Sequence, residues 1–195
     1  MALTRRFTWI ALAVVAVVVV TTVIVLFAFG FIAPAPSSSS TPPAEPKTYL
    51  NLTIHYDSTT GIGNYTTPFI SIVAHTLVVV TITNHDPTAS PLFVPRDNHV
   101  LGTVGGNESL TGCQNATGSV TVLASNGISH TFTVLDPYYN ISVPVPPAQS
   151  LEVPCVVTFE LSMNYSELTS WGCVVNCDNG VMAAGDMWGE LLIEA

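Results

Sequence analysis

The chain has 195 residues, of which 48% are hydrophobic and only 9% are charged, and its formal net charge is −9 at pH 7. A soluble globular domain averages about 25% charged residues, so the composition is unusual. After Lys47 the chain contains one further cation, Arg96, and all but one of its 13 acidic residues. This balance excludes nucleic-acid binding, because neutralising phosphates requires Lys and Arg. It also favours an acidic medium, in which protonated carboxylates leave the domain near neutral.

Residues 9–32 form an almost wholly apolar run without a charge. About 20 such residues cross a bilayer as a helix, so the run is predicted to be a transmembrane anchor. Arg5 and Arg6 precede it, and the positive-inside rule therefore places residues 1–8 in the cytoplasm and the rest of the chain outside. The alternative is a signal peptide cleaved near Ala33, although the apolar region of a signal peptide is normally shorter.

Residues 33–46 are rich in Pro and Ser and form a predicted semi-rigid linker, followed by one extracytoplasmic domain at 47–195. The domain contains six Asn-x-Ser/Thr glycosylation sequons, at Asn51, Asn64, Asn107, Asn115, Asn140 and Asn164. Its four cysteines are an even number, which suits disulfides in an oxidising compartment. We therefore expect a single-pass glycoprotein of the cell membrane.

The domain is predicted to be all-β. Short runs of alternating or β-branched residues are separated by Gly, Pro and Asn, and no sustained 3.6-residue apolar period follows the anchor. The predicted strands are Tyr49–Tyr56, Pro68–His75, Leu77–Thr83, Val120–Leu123, His130–Leu135, Ile141–Val145, Val153–Leu161 and Trp188–Glu194. Many short strands with regular turns indicate a β-sandwich or barrel. Residues 87–119 have weak strand signals and are predicted to be an insertion at one end of it.

Sulfur-containing residues are concentrated near the C-terminus. Cys173 and Cys177 have three residues between them, and Met182 and Met187 follow. Thiolates and thioethers are soft ligands that select copper, Cu(I) in particular. Upstream, His130 begins a predicted strand and could present its imidazole to the same end of the sandwich. The pattern therefore indicates a candidate copper site.

The order of these motifs resembles the cupredoxin domain of haem-copper (cytochrome c or quinol) oxidase subunit II. His-x-Phe at His130 is followed by Ile141-Ser-Val-Pro-Val-Pro-Pro and then by Cys-x3-Cys. The chain is also similar to archaeal membrane-anchored cupredoxins. The resemblance implies a Greek-key β-sandwich or barrel that binds copper, with His130, Cys173 and Cys177 as ligands by position.

The chain departs from the family's binuclear copper motif after the second cysteine. Val181 stands where the second histidine ligand is expected, and the family methionine is shifted to Met187, so that Met182 could take the place of the histidine. A second imidazole could otherwise come from one of three other histidines, if the fold brings it there. These are His75, His85 and His99.

Each of these residues also has an ordinary structural interpretation. Cys173 and Cys177 could form a disulfide with each other, the two methionines could fill the core, and His130 could be a hydrogen-bonded histidine at a strand end. Cys113 and Cys155 are predicted to form a disulfide that ties the insertion to the sheet.

No enzymatic motif is present in the sequence: it lacks a Gly-x-Ser-x-Gly elbow, a His-Glu-x-x-His motif and a phosphate-binding loop. The acids, Asp86 among them, are scattered without a pairing for acid–base chemistry. The resemblance implies an electron-transfer module of a respiratory chain, with haem-copper oxidase subunit I or another redox protein as partner. The alternatives are a copper-free structural subunit of a quinol oxidase, an extracytoplasmic Cu(I) carrier, and a glycosylated surface domain without a redox role.

Overall fold

The computed structural model of the protein describes residues 46–89, 95–175 and 187–195. The predicted anchor at 9–32 lies outside these residues, as does all but the last residue of the predicted linker. In the part of the chain that the structure describes, no helix is both long and apolar enough to cross a membrane.

The described residues form an all-β domain, as predicted, with two short 3-10 helices at Pro95–Asn98 and Val104–Gly106. The strands in chain order are β1 (Lys47–Asp57), β2 (Ile62–Tyr65), β3 (Phe69–Val73), β4 (Leu77–Asn84), β5 (Glu108–Thr111), β6 (Gly118–Val120), β7 (His130–Asp136), β8 (Tyr139–Val145), β9 (Cys155–Ser162), β10 (Glu167–Gly172) and β11 (Trp188–Glu194).

The strands pair into two sheets. Sheet A has the order β2-β1-β4-β9-β5-β6, and sheet B has the order β3-β11-β10-β7-β8. Two pairs are parallel, β1 with β4 and β11 with β3, and the other pairs are antiparallel. Strand β4 alternates half-buried and buried residues along its whole length, which is the period-two pattern of a strand with one face on a core.

The core lies between the two sheets. The ring of Phe132 on β7 packs 5.7 Å from that of Phe159 on β9, measured between centroids. Trp171 on β10 is fully buried, stacks on Phe132 and meets Tyr65 of β2 edge to face at 4.9 Å. Aromatic contacts of this kind contribute beyond the area they bury, and here they join sheet B to sheet A.

Cys113 and Cys155 form a disulfide, which confirms the predicted pairing. Cys155 begins β9, and Cys113 lies in the loop that follows β5. The bond therefore fixes part of the predicted insertion to sheet A.

Residues 87–119, predicted to be an insertion at one end of the sandwich, include part of sheet A. Strand β5 lies within them and pairs with β9 inside sheet A. Its signal was hidden because Glu108, a charged residue, occupies a buried position beside Leu110. The structure also contains β10, which the sequence did not indicate. Its large apolar residues Leu168 and Trp171 are three positions apart and lie on opposite faces, Leu168 61% exposed and Trp171 buried, so the sequence shows no alternation of apolar and polar residues.

Candidate metal centre

His130 is the first residue of β7 and is buried against a carboxylate. Its Nε2 lies 2.8 Å from Oδ2 of Asp86, and both side chains are 4% exposed. Asp86 comes shortly after β4 on the other sheet, so the pair joins the two sheets at one end of the sandwich. This contact also fixes the plane of the imidazole.

Asp86 is itself held by the turn in which it lies. Its Oδ1 accepts hydrogen bonds from the backbone N–H and the hydroxyl of Thr88, at 2.8 and 2.6 Å, and its N–H donates to Oδ1 of Asn84 at 2.9 Å. Burial works to raise the pKa of Asp86, but the hydrogen bonds from His130 and Thr88 outweigh it and hold the pKa below its ordinary value. The carboxylate is therefore anionic and oriented towards His130.

Gly63 of β2 forms one wall of this pocket. A Cβ atom at this position would lie 2.7 Å from both Cε1 and Nε2 of His130, and 3.3 Å from Oδ2 of Asp86. Any larger side chain would displace the imidazole. The close approach of the strand to the ring therefore requires glycine.

Cys173 follows the end of β10 and lies beside the other ring nitrogen. Its Sγ is 3.9 Å from Nδ1 of His130 and accepts the N–H of Thr131 at 3.4 Å. The N–H of Cys173 donates to the carbonyl oxygen of Met187 at 3.0 Å, and Met187 is buried. Three of the five predicted ligand residues therefore come from neighbouring strand ends of sheet B.

The geometry of His130 and Cys173 is compatible with one metal ion. Metal–nitrogen and metal–sulfur bonds of about 2.0 and 2.3 Å allow the two donors a separation of up to about 4.3 Å. A histidine ligand commonly donates its other N–H to a carboxylate, and Asp86 is placed to accept it. The sulfur of Cys173, however, is disulfide-bonded, and no cysteine in the described residues is free. It can ligate as a thiolate only after reduction.

The other two predicted ligands are Cys177 and Met182. Both lie outside the described residues, so the structure does not place them. Within residues 46–89, 95–175 and 187–195, no group of three or more His, Cys, Asp or Glu side chains is arranged to hold a metal ion. None of the three other histidines thus supplies the second imidazole. His99, the candidate in the predicted insertion, is exposed and bridges to Val122.

Comparison with known proteins gives low similarities. No protein-family model matches the chain, and no curated protein sequence matches it significantly. Among solved structures, a multicopper oxidase from Campylobacter jejuni is 11% identical, with a TM-score of 0.43, over 80% of this chain and 31% of the other. A blue copper oxidase from Nitrosomonas europaea is 17% identical, with a TM-score of 0.37, over 76% and 39%.

A haem-copper terminal oxidase chain is 12% identical, with a TM-score of 0.35, over 97% of this chain and 99% of the other. The chain spans less than two fifths of the two multicopper and blue copper oxidases. At these identities and TM-scores, the similarities establish neither a family nor a function.

Two residues of the site could not be singled out from the sequence. Asp86 is one of the scattered acids, and Gly63 is one of the glycines that separate the predicted strands. The run from Asn84 to Thr88 contains Asp-Pro-Thr, which favours a turn held by the Asp side chain. That local signal could have indicated an ordered carboxylate, but not that it faces a histidine 44 residues away.

The sequon asparagines are mostly accessible. Asn64 is half-buried, and its Oδ1 is out of contact with solvent and without a hydrogen-bond partner. The exposed ones are Asn51, Asn107, Asn115, Asn140 and Asn164. Glycosylation at these six positions stays a prediction.

Proposed function

We propose that the domain binds copper between His130 and Cys173 and serves electron transfer on the outer face of a membrane. The observation that carries the proposal is the orientation of His130. Asp86 occupies its Nε2, and its Nδ1 faces a sulfur atom at 3.9 Å. An imidazole held in this way has its Nδ1 on the side of the sulfur, so that nitrogen and sulfur could contact the same metal ion.

The donor set suits copper better than a hard cation. An imidazole and a thiolate are borderline and soft ligands, and the nearby Met187, with Cys177 and Met182, would add further sulfur. Copper would supply one-electron transfer at this position. The protein contributes a buried imidazole of fixed orientation, which limits rearrangement of the ligands between oxidation states.

The proposal extends to a membrane-anchored, subunit II-like component of a respiratory chain. The apolar run at 9–32 supports the anchor, and the Cys113–Cys155 disulfide suits an oxidising compartment outside the cytoplasm. The partner would be haem-copper oxidase subunit I or another redox protein. Because only one cation follows Lys47, the domain would have an acidic surface that a basic partner could recognise.

A copper-free structural role is the second candidate, and the disulfide at Cys173 favours it. A sulfur in a disulfide is not a thiolate ligand. Val181, at the position of the missing family histidine, fits the same role. An extracytoplasmic Cu(I) carrier remains a variant of the copper proposal, because sulfur ligands favour the reduced ion.

The test is copper binding by the full-length protein with and without prior reduction. After reduction and removal of the reductant under nitrogen, we expect added copper to produce an intense thiolate-to-copper absorption. Cys173→Ser should abolish the absorption and His130→Ala should shift or abolish it, whereas His99→Ala, which changes an exposed histidine, should leave it unchanged.

The outcomes separate the candidate functions. Tight Cu(I) binding without colour would support the carrier. The absence of copper binding by reduced protein that retains its fold, measured by circular dichroism, would contradict both copper proposals and leave the structural role.

A further inference from the structure

Two histidines lie side by side on the outer face of sheet A, away from the candidate metal centre. His55 is on β1, and His85 directly follows β4, the parallel neighbour of β1. The N–H of His85 donates to the carbonyl oxygen of Ile54 at 3.0 Å, which continues the pairing of the two strands. Their rings are 6.2 Å apart between centroids and nearly parallel, at 8°.

The surroundings of the pair are polar and anionic. Asn64 on β2 is directly opposite His55 in the antiparallel pair, so their side chains share a face. The Oδ1 of Asn64 has no hydrogen-bond partner. Asp57 lies two residues along β1 from His55, also on this face, and its Oδ1 accepts a hydrogen bond from the N–H of Thr59 at 2.8 Å.

We propose that His55 and His85 form a surface site for a first-row divalent cation, with Cu²⁺ bound most tightly. A metal ion lies about 2.0 Å from the imidazole nitrogen it binds, so the centres of two rings sharing one ion are about 5 to 6 Å apart. The observed 6.2 Å is close to that range. The broad χ2 torsion of histidine lets each ring turn a nitrogen into the space between them.

The chemistry of the pair selects the cation. Imidazoles suit Cu²⁺, Ni²⁺ and Zn²⁺ rather than Ca²⁺ or Mg²⁺, and Cu²⁺ has the highest affinity in the first-row series. Two imidazoles leave further coordination positions on the ion, which water can fill. The net charge of −9 attracts cations to the surface.

This site differs in chemistry from the one between His130 and Cys173, and neither depends on the other. His85 immediately precedes Asp86, and Asn64 immediately follows Gly63, so the same two segments provide residues to both places. His55 is exposed and His85 half-buried, whereas His130 is buried. The surface pair needs no reduced sulfur, so it should bind Cu²⁺ in the oxidised protein.

The test uses full-length protein kept oxidised, titrated with Cu²⁺ and followed by electron paramagnetic resonance. We expect one Cu²⁺ per chain with hyperfine coupling to two imidazole nitrogens. His55→Ala and His85→Ala should each lower the affinity at least about tenfold, a loss that even outer-shell changes cause at metal sites. His75→Ala and His99→Ala, which remove two other exposed histidines, should keep the wild-type affinity.

A further pair of variants keeps the two proposals separable. His130→Ala and Cys173→Ser should retain the two-nitrogen Cu²⁺ signal, because they do not alter the surface pair. His55→Asn, a polar replacement at an exposed strand position, checks that any loss does not come from unfolding. If His55→Ala and His85→Ala bind Cu²⁺ as tightly as wild type, or if the bound Cu²⁺ shows a single nitrogen, the proposal is wrong.

Discussion

Glu108 gives the sharpest prediction about stability. Its side chain is 0% exposed on β5, and in the described residues neither carboxyl oxygen has a hydrogen-bond partner. Burial raises the pKa of Glu108 to about 9, because an ionised carboxylate in such a place has lost its water without compensation. The folded domain therefore holds this carboxyl in its neutral, protonated form at neutral pH.

The raised pKa makes the fold more stable in acid. In the unfolded chain the carboxyl ionises near its ordinary value of 4.5, whereas in the folded domain it ionises near 9. Between these values the unfolded state holds fewer protons, so the free energy of unfolding falls as pH rises, by about 1.4 kcal/mol per unit. Between pH 5 and pH 8 the free energy of unfolding should fall by at most about 4 kcal/mol. This is a large part of the total, which is typically about 5–15 kcal/mol.

The assay is urea denaturation at intervals from pH 5 to pH 8, for wild type and for Glu108→Gln. The amide has nearly the same shape but does not titrate, so the variant should lose most of this slope, whereas Glu152→Gln at an exposed loop position should keep it. Equal slopes for wild type and Glu108→Gln would refute the reasoning. A wild-type stability maximum at acidic pH would also agree with the acidic medium suggested by the shortage of cations.

Three further predictions concern other contacts. Replacing Cys113 and Cys155 by Ser should lower the free energy of unfolding by about 4 kcal/mol, since the disulfide closes a loop of 42 residues, and equal urea midpoints for variant and wild type would contradict this. Gly63→Ala should cost about 1–3 kcal/mol by pushing against His130, whereas Gly127→Ala in a turn should cost less in the same assay. Asp86→Asn should reduce the loss of stability in acid, measured by circular dichroism as a function of pH. The reason is that the lowered pKa of Asp86 contributes stability that is lost as pH falls through the pKa of the folded state, and Asn does not titrate. An unchanged acid-unfolding curve would contradict this.

The strands that the sequence predicted well are those whose side chains follow the sheet period. Strands β4 and β11 begin at the predicted residues because their alternating or β-branched residues face the core as the pattern requires. Strand β5 was missed because Glu108 is buried as a neutral acid, and β10 because Leu168 faces outwards. In β5 tertiary packing tolerates a residue that strands disfavour, whereas in β10 the outward leucine breaks the apolar–polar alternation.

The candidate site was predictable only where residue order carries information. The spacing of the sulfur residues and the strand start at His130 led to the contact between His130 and Cys173. The partners Asp86 and Gly63 come from sheet A and are distant in sequence, so no local pattern could assign them. The His55–His85 pair could not be predicted for the same reason, because the parallel pairing of β1 and β4 brings its two rings side by side.

The copper K-edge X-ray absorption spectrum of the reduced, copper-loaded full-length protein examines the metal ligands themselves. We predict that both nitrogen and sulfur scatterers surround the copper. The sulfur contribution should fall in Cys173→Ser and the nitrogen contribution in His130→Ala. A copper shell that contains no sulfur, or that neither substitution changes, would contradict the assignment of His130 and Cys173 as the pair that binds copper.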